Sequence, residues 1–407
     1  MSKIKEPAIF SIKQADIGAF LTGETNLSPN SGSAFYKAAP GDKAGMDIKA
    51  AYGELLTDKE FLRALRIITQ PDLYLAARVA GVQGLSESRL HHKKSEGNFV
   101  AVTEENAGGN LAISLFDDYK SWLAWWIEDF ASQSNQPAAN YIPPRVSLEE
   151  FMFVLHSIDS FRRVSYQNML DHAFMDTTYV KVPSFLQSMA DSLKSMDIRW
   201  LLPAFLAVTP GVEQYQTKID PQNIGVLLEH DFLREGKLAS GEDVLIFGEA
   251  GQVMGVEFFR SWFTSCGVEI NVAGSGVFTA AERLFIAPTL LGNHFVRLEN
   301  TDNGKAMVNH QLYTTEQLAF KLDELFGKAF AMDVSAVSSA LKSAQAVPPP
   351  AQAGAISSTL KGAEESESIL RQAKAAAAPP TPRFCRNCGA KLSAGAVFCG
   401  NCGAKLS

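Results

Sequence analysis

Two Cys-x-x-Cys pairs, Cys385/Cys388 and Cys399/Cys402, lie ten residues apart in the last stretch of a 407-residue chain, and they leave that stretch few ways to fold. Cys385-Arg-Asn-Cys388-Gly-Ala-Lys-Leu and Cys399-Gly-Asn-Cys402-Gly-Ala-Lys-Leu are near-copies. Two residues between cysteines let one tight turn aim both sulfurs at a single ion, and Gly389 and Gly403 follow where a side chain would collide. The spacer suffices for a hairpin that folds one pair on the other. Four thiolates then fill a tetrahedron around one Zn2+ and leave no coordination position open, so the expected ion is structural rather than hydrolytic. Phe384, Phe398, Leu392 and Leu406 are the residues expected to supply its small apolar core. So small a module draws its folding energy from the metal. A redox dithiol pair is the alternative, but the tandem arrangement and the lack of a thioredoxin-like context weigh against it.

The remaining cysteine, Cys266, has no partner in the body for an intrachain disulfide. This usage fits a reducing compartment, and the N-terminus lacks the apolar core of a signal peptide. The longest apolar stretch, residues 198 to 208, is too short to span a bilayer. The expectation is a cytoplasmic protein with no membrane insertion. A net charge of -7 gives no general attraction to nucleic acid, and the few basic residues of the tail, Arg383, Arg386, Lys391 and Lys405, are offset by a dianionic zinc–tetrathiolate centre. Nucleic acid is therefore disfavoured as a partner and protein is expected, with the oligomeric state left open.

With 46% hydrophobic residues the body can bury a substantial core. Residues 1–46, rich in Gly, Ser, Pro and Asn, read as an irregular N-terminal arm. Residues 47–330 read as an α+β body of mostly antiparallel sheets with helices. Leu55, Leu56, Phe61, Leu62, Leu65 and Ile68 have helical spacing, with Asp58 at the start and Gln70-Pro71 at the stop. Strands are expected over 73–79, 99–103, 111–115, 268–272, 284–286 and 295–298, and a helix after Asp117-Asp118 with Trp122 and Trp126 on its core face. Residues 244–247 and 253–258 read as hairpin arms about Glu249-Ala-Gly-Gln. Phe99-Val-Ala-Val, a turn, residues 111–115 and a capped helix can be laid on Phe295-Val-Arg-Leu, a turn, residues 307–312 and a helix capped by Thr314-Thr315. Either this common unit recurs by chance, or two pseudo-symmetric halves, 47–145 and 222–330, flank a helical insertion at 146–221. Residues 331–382, dominated by Ala, Ser and Pro, read as a flexible linker of r.m.s. reach about 40 Å, carrying a zinc ribbon at 383–407.

The body shows no P-loop, nucleophile elbow or His-Glu-x-x-His. Gly248-Glu-Ala-Gly-Gln-Val-Met-Gly and Gly274-Ser-Gly276 read as turns rather than phosphate cradles. His91-His92-Lys93-Lys94 reads as a solvated basic loop rather than a metal or anion site. Asp171, His172 and Asp176 have the residue types for acid–base work but fall on a helix surface or its end. Cys266 reads as a small buried hydrophobe. No catalytic or cofactor-binding residue is assigned beyond the zinc ligands Cys385, Cys388, Cys399 and Cys402.

The tail resembles the short bacterial four-cysteine zinc-ribbon family, whose pattern is Cys-x-x-Cys-Gly-Ala, a spacer, then Phe-Cys-x-x-Cys-Gly-Ala. Arg386 stands where proline is frequent in that family. The resemblance implies zinc and an interaction role without fixing an activity. Arg66-Ile-Ile-Thr-Gln-Pro-Asp-Leu-Tyr-Leu followed by hairpin and helix, with hairpin and helix recurring later, resembles the EspG-type chaperones of type VII secretion, which bind secreted helical substrates. No residue role carries over from that resemblance. The leading expectation is a non-enzymatic adaptor with a tethered ribbon. The alternatives are an EspG-like chaperone, and an enzyme with a pocket between the halves that uses His172 or Asp171.

Overall fold

A computed structural model describes residues 6–23, 28–36, 48–106, 108–136, 139–173, 178–214, 219–260, 264–274, 277–300 and 306–332. The chain begins with β1 (Ala8–Lys13), α1 (Ile17–Gly23), α2 (Ile48–Thr57) and α3 (Lys59–Thr69). Four strands follow, β2 (Leu73–Gly81), β3 (Gly84–His92), β4 (Val100–Glu105) and β5 (Asn110–Phe116), and then α4 (Tyr119–Phe130). The middle holds β6 (Arg145–Ser147), α5 (Leu148–Leu170), β7 (Tyr179–Lys181), α6 (Val182–Ser192), α7 (Leu201–Val208), α8 (Ile224–Glu229), β8 (Leu233–Lys237), β9 (Asp243–Phe247) and α9 (Glu249–Arg260). Four more strands, β10 (Ser265–Gly274), β11 (Val277–Pro288), β12 (Asn293–Asn300) and β13 (Ala306–Tyr313), lead into α10 (Thr315–Ala331). The fold class is α+β, as the sequence indicates.

Ten strands form one antiparallel sheet in the order β1-β5-β4-β3-β2-β10-β11-β12-β13-β6. The seam is the antiparallel pair β2–β10, in register from Ala80 opposite Ser265 to Leu73 opposite Val272. From that seam the order runs β2-β3-β4-β5 one way and β10-β11-β12-β13 the other, each set ending in a helix. Antiparallel neighbours are related by a two-fold rotation normal to the sheet, so the two four-strand units repeat about the seam. The recurrence read from β4-β5-α4 and β12-β13-α10 is therefore a feature of the topology, and it extends back through both central hairpins.

Local chemistry sets the helix ends. Asp58 accepts from the amides of Glu60 and Phe61 at the start of α3, Asp118 from Ser121 at α4, and capping boxes Ser147/Glu150 and Thr314/Gln317 open α5 and α10. On one face of the sheet α4 and α10 pack together over Leu75, Val102, Ile270 and Ile286, presenting Trp122, Trp126, Leu322 and Phe326. On the other face α1 and α3 cover the β3–β5 side through Phe20, Phe61 and Ile68. There α5, α7 and α9 cover the second unit through Phe151, Phe205 and Met254. At Gly267 on β10 this second cover comes close, because a Cβ there would strike the carbonyl of Val208 at the end of α7.

Three expectations are corrected. Residues 253–258 are not a hairpin arm; they belong to α9, and Glu249-Ala-Gly-Gln is its first turn rather than a turn between strands. Ala250, Met254 and Phe258 recur at four-residue spacing and are buried, and Asp231 accepts from the Glu249 amide at 3.1 Å, which favours helix over alternation. His91 and His92 do not lie in a solvated loop: they end β3, 0% and 6% exposed. Residues 8–13, expected in an irregular arm, form β1 and pair in register with β5. Residues 333–382 of the linker, the ribbon cysteines, Asp176 and residues 275–276 lie outside the described residues, while Ala331 ends α10.

Candidate functional site

Among the described residues, the two covers on the second face leave a gap. Between them lies a trough of about 1130 Å³ lined by Arg78, Glu87, Arg89 and Thr103 of the sheet, by Tyr36 and Leu111 at one side and by Ala207 of α7 at the other. Strand alternation places Tyr74, Arg78, Glu87 and Arg89 on this face, because Leu73, Leu75 and Leu90 point to the opposite core. Glu87 is shared by two guanidinium groups: Nε of Arg89 donates at 2.6 Å and Nε of Arg78 at 3.0 Å. Burial opposes ionisation of Glu87, but the hydrogen bonds and charge of Arg89 and Arg78 outweigh it and hold the carboxyl below its usual range. Across the seam Glu269 repeats the device, accepting from Arg283 at 3.0 Å and from Asn271 at 3.2 Å. Tyr74 stands between the two groups, its phenol pushed up by burial and by Glu269, and its ring packs on Phe278.

The trough also borders an incomplete strand pairing. β3 pairs with β2 along its whole length, but with β4 only over Ser88–His92. Gly84 to Glu87 therefore have a strand on one side and the trough on the other, with Glu105 and Asn106 on the facing bank. Val82, Leu85 and Tyr36 project apolar surface there, 79%, 51% and 58% exposed. This is open, charge-paired floor with an apolar rim, larger than most small-molecule pockets.

The acid–base candidates do not converge on it. Asp171 is the C-terminal cap of α5 and accepts from Gln167 Nε2 at 2.8 Å. His172 follows with φ of 51° and is exposed. Neither lines the trough, and among the described residues no group of three His, Cys, Asp or Glu side chains is placed to hold a metal. Cys266 is fully buried, as expected, and burial pushes its thiol up. Trp122 and Trp126 are core, whereas Trp125 is 39% exposed.

Sequence reasoning missed the charged floor, whose signal is Glu87 and Arg89 two residues apart on one strand face. It also missed the buried imidazoles. Nδ1 of His294 lies 3.0 Å from Nε2 of His310 in the core beneath α9, and burial lowers His91, His156 and His294 to about 3. His310 is lowered well below its usual value by burial and then by His294.

No described helix is long and apolar enough to cross a membrane. No curated protein matches this sequence. Among similar solved structures is the Mycobacterium tuberculosis type VII secretion system chaperone EspG5, in complex with a PE25–PPE41 dimer, at 10% identity and a TM-score of 0.42, over 78% of this chain and 96% of that one. Residues 384–406 match the model of the zinc-ribbon domain family, so the stretch bearing both Cys-x-x-Cys pairs is similar to a zinc-binding domain.

Proposed function

We propose that this chain is a non-enzymatic, cytoplasmic protein-binding adaptor whose trough takes a segment of a partner protein. Cys385, Cys388, Cys399 and Cys402 close around one structural zinc ion to form a second, tethered interaction module. The observation that carries the reading is the trough itself. Its size and apolar rim suit a polypeptide segment, and Arg78 and Arg89 hold the Glu87 carboxylate ionised rather than poised for proton transfer. The exposed placement of Asp171 and His172, outside the trough, supports the same conclusion. The test is a photo-cross-linking residue placed at Leu85 of the full chain, with Met196 as an exposed control. A protein cross-linked from Leu85 and not from Met196, then purified and shown to bind the full chain at micromolar or better affinity, is the expected result. Turnover of a small molecule that Tyr36 or Arg89 substitutions abolish would defeat it.

A second reading is that the partner is a secreted helical protein pair, as the resemblance to EspG-type chaperones implies. The recurrence of hairpin and helix about the β2–β10 seam favours it, since that recurrence is the feature on which the resemblance rests. Its test is co-purification of the full chain with a defined helical pair of that kind, lost on substitution at Leu85 and Arg89.

A further inference from the structure

We propose that the partner segment entering the trough is extended, that it adds a strand to β3 opposite Leu85–Glu87, and that it places a carboxylate on Arg89. The inference rests on the reading of the trough as a protein-binding site and adds the shape and charge of what is bound.

The shape follows from the strand edge. The main-chain groups that β2 does not use alternate along β3. The amide of Ala273 on β10 bonds the carbonyl of Asp72, which assigns even-numbered positions of β2 to β10 and odd-numbered ones to β3. With Leu73 opposite His92 and Ala80 opposite Leu85, the even positions of β3 bond β2 and the odd positions face away. Arg89 and His91 spend those groups on β4, opposite Thr103 and Ala101. Among the described residues, no strand lies beyond Leu85 and Glu87, and their amides and carbonyls face the trough. A short free edge inside a groove selects an extended main chain, which satisfies donors and acceptors that a helix cannot.

The charge follows from the floor. Arg78 and Arg89 both reach Glu87 through Nε. The terminal nitrogens of both guanidinium groups have no protein acceptor among the described residues, and they line the trough. A carboxylate on the added strand, diagonal to Arg89, takes that guanidinium in a fork and leaves Glu87 to Arg78. Glu105 stands on the facing bank with the same sign as the incoming group, and Gln14 Nε2 holds it at 2.7 Å. The strand face that carries the acid also carries, two residues away, the side chain that lies over Leu85. The fitting pattern is therefore an apolar residue and an acidic residue two positions apart, on one face of the added strand.

The experiment titrates the full chain into a fluorescein-labelled peptide repeating Leu-Ser-Glu-Ser, which sets leucine and glutamate on one strand face, and into its counterpart with glutamine for glutamate, at low and high salt. Expected are at least tenfold tighter binding of the glutamate peptide at low salt, loss of that preference in R78Q/R89Q, and an increase in E87Q. L85P removes an outward amide without touching the β2 ladder, and should weaken both peptides about tenfold with an unchanged circular dichroism spectrum. Equal binding of the two peptides, no binding of either, or indifference to both L85P and R78Q/R89Q overturns the proposal. Binding that emerges only in E364Q/E365Q/E367Q also overturns it, by assigning the trough to the chain's own acidic run. If the peptides fail while the Leu85 cross-link to a partner persists, the protein-binding reading survives and only the extended acidic segment is lost.

Discussion

Asp159 and Arg162, one turn apart on α5, form an ion pair at 2.7 Å with both side chains 1% exposed. Asp159 also accepts the amides of Leu201 and Leu202 at 2.9 Å each, and Arg162 donates to the carbonyl of Arg199 at 2.9 Å. The pair thus ties α5 to the first turn of α7, whose far end meets β10 at Gly267. Replacing Asp159 by Ala strands a buried guanidinium and two helix-terminal amides, and the expected cost is about 3–5 kcal/mol. Replacing both partners, Asp159→Leu with Arg162→Met, should cost less than the single change. Urea midpoints of the three proteins check this, and a double variant weaker than the single one contradicts it.

Acid should undo the fold before most carboxylates titrate. His91, His156 and His294 are neutral in the folded chain, with values near 3 set by burial. An unfolded histidine titrates near 6.5, so the unfolded state binds more protons between these limits. The stability is complete above about pH 6.5 and drains as pH falls toward 3. By pH 5 each of these residues costs about 2 kcal/mol, or roughly 6 kcal/mol together. Urea denaturation at pH 7.5 and pH 5 reads this directly. An unchanged midpoint would show that these rings are not buried and neutral.

The two terminal helices of the repeat are coupled by Tyr119 of α4, whose hydroxyl donates to Asp323 of α10 at 2.9 Å. Burial, then that hydrogen bond, pushes the phenol up to about 12. A double-mutant cycle of Tyr119→Phe and Asp323→Asn should return a coupling of about 1 kcal/mol. Strict additivity would show that the two helices do not communicate through this bond.

The ribbon and the body should respond separately to metal removal. Native mass spectrometry is expected to find one zinc ion per chain, lost on chelation or in Cys385→Ser with Cys402→Ser. Thermal unfolding of the body should not shift, since the described residues hold no metal cluster. A fall in the body's melting temperature on chelation would mean that the two parts fold as one.

How far the sequence anticipates the fold differs element by element. α3 is readable because a cap, a period and a stop coincide, and α4 and α10 because a cap and a period do. The recurrence of β4-β5-α4 is readable because both copies alternate cleanly and end at a capped helix. α9 was not, because Gly251, which approaches the carbonyl of Phe232, and Gly255, which packs on the ring of Phe161, imitate turn chemistry in a helix whose first turn Asp231 supports from eighteen residues away. The end of β3 was hidden because His91-His92-Lys93-Lys94 looks uniformly polar, and only the cover of α3 and α10 makes the two imidazoles interior. The trough could not be read at all, since it is the gap left between two covers whose packing is set by residues far apart in sequence.

The seam between β2 and β10 has a consequence for how this chain can be divided. Each four-strand unit ends there in a raw flank whose hydrogen-bonding groups are met by the other unit alone, and the 134 residues between α4 and β10 are an excursion made before the second flank returns. A cut within that excursion should leave fragments that recognise one another and reassemble when co-expressed, whereas either piece produced singly should seek a foreign strand and precipitate.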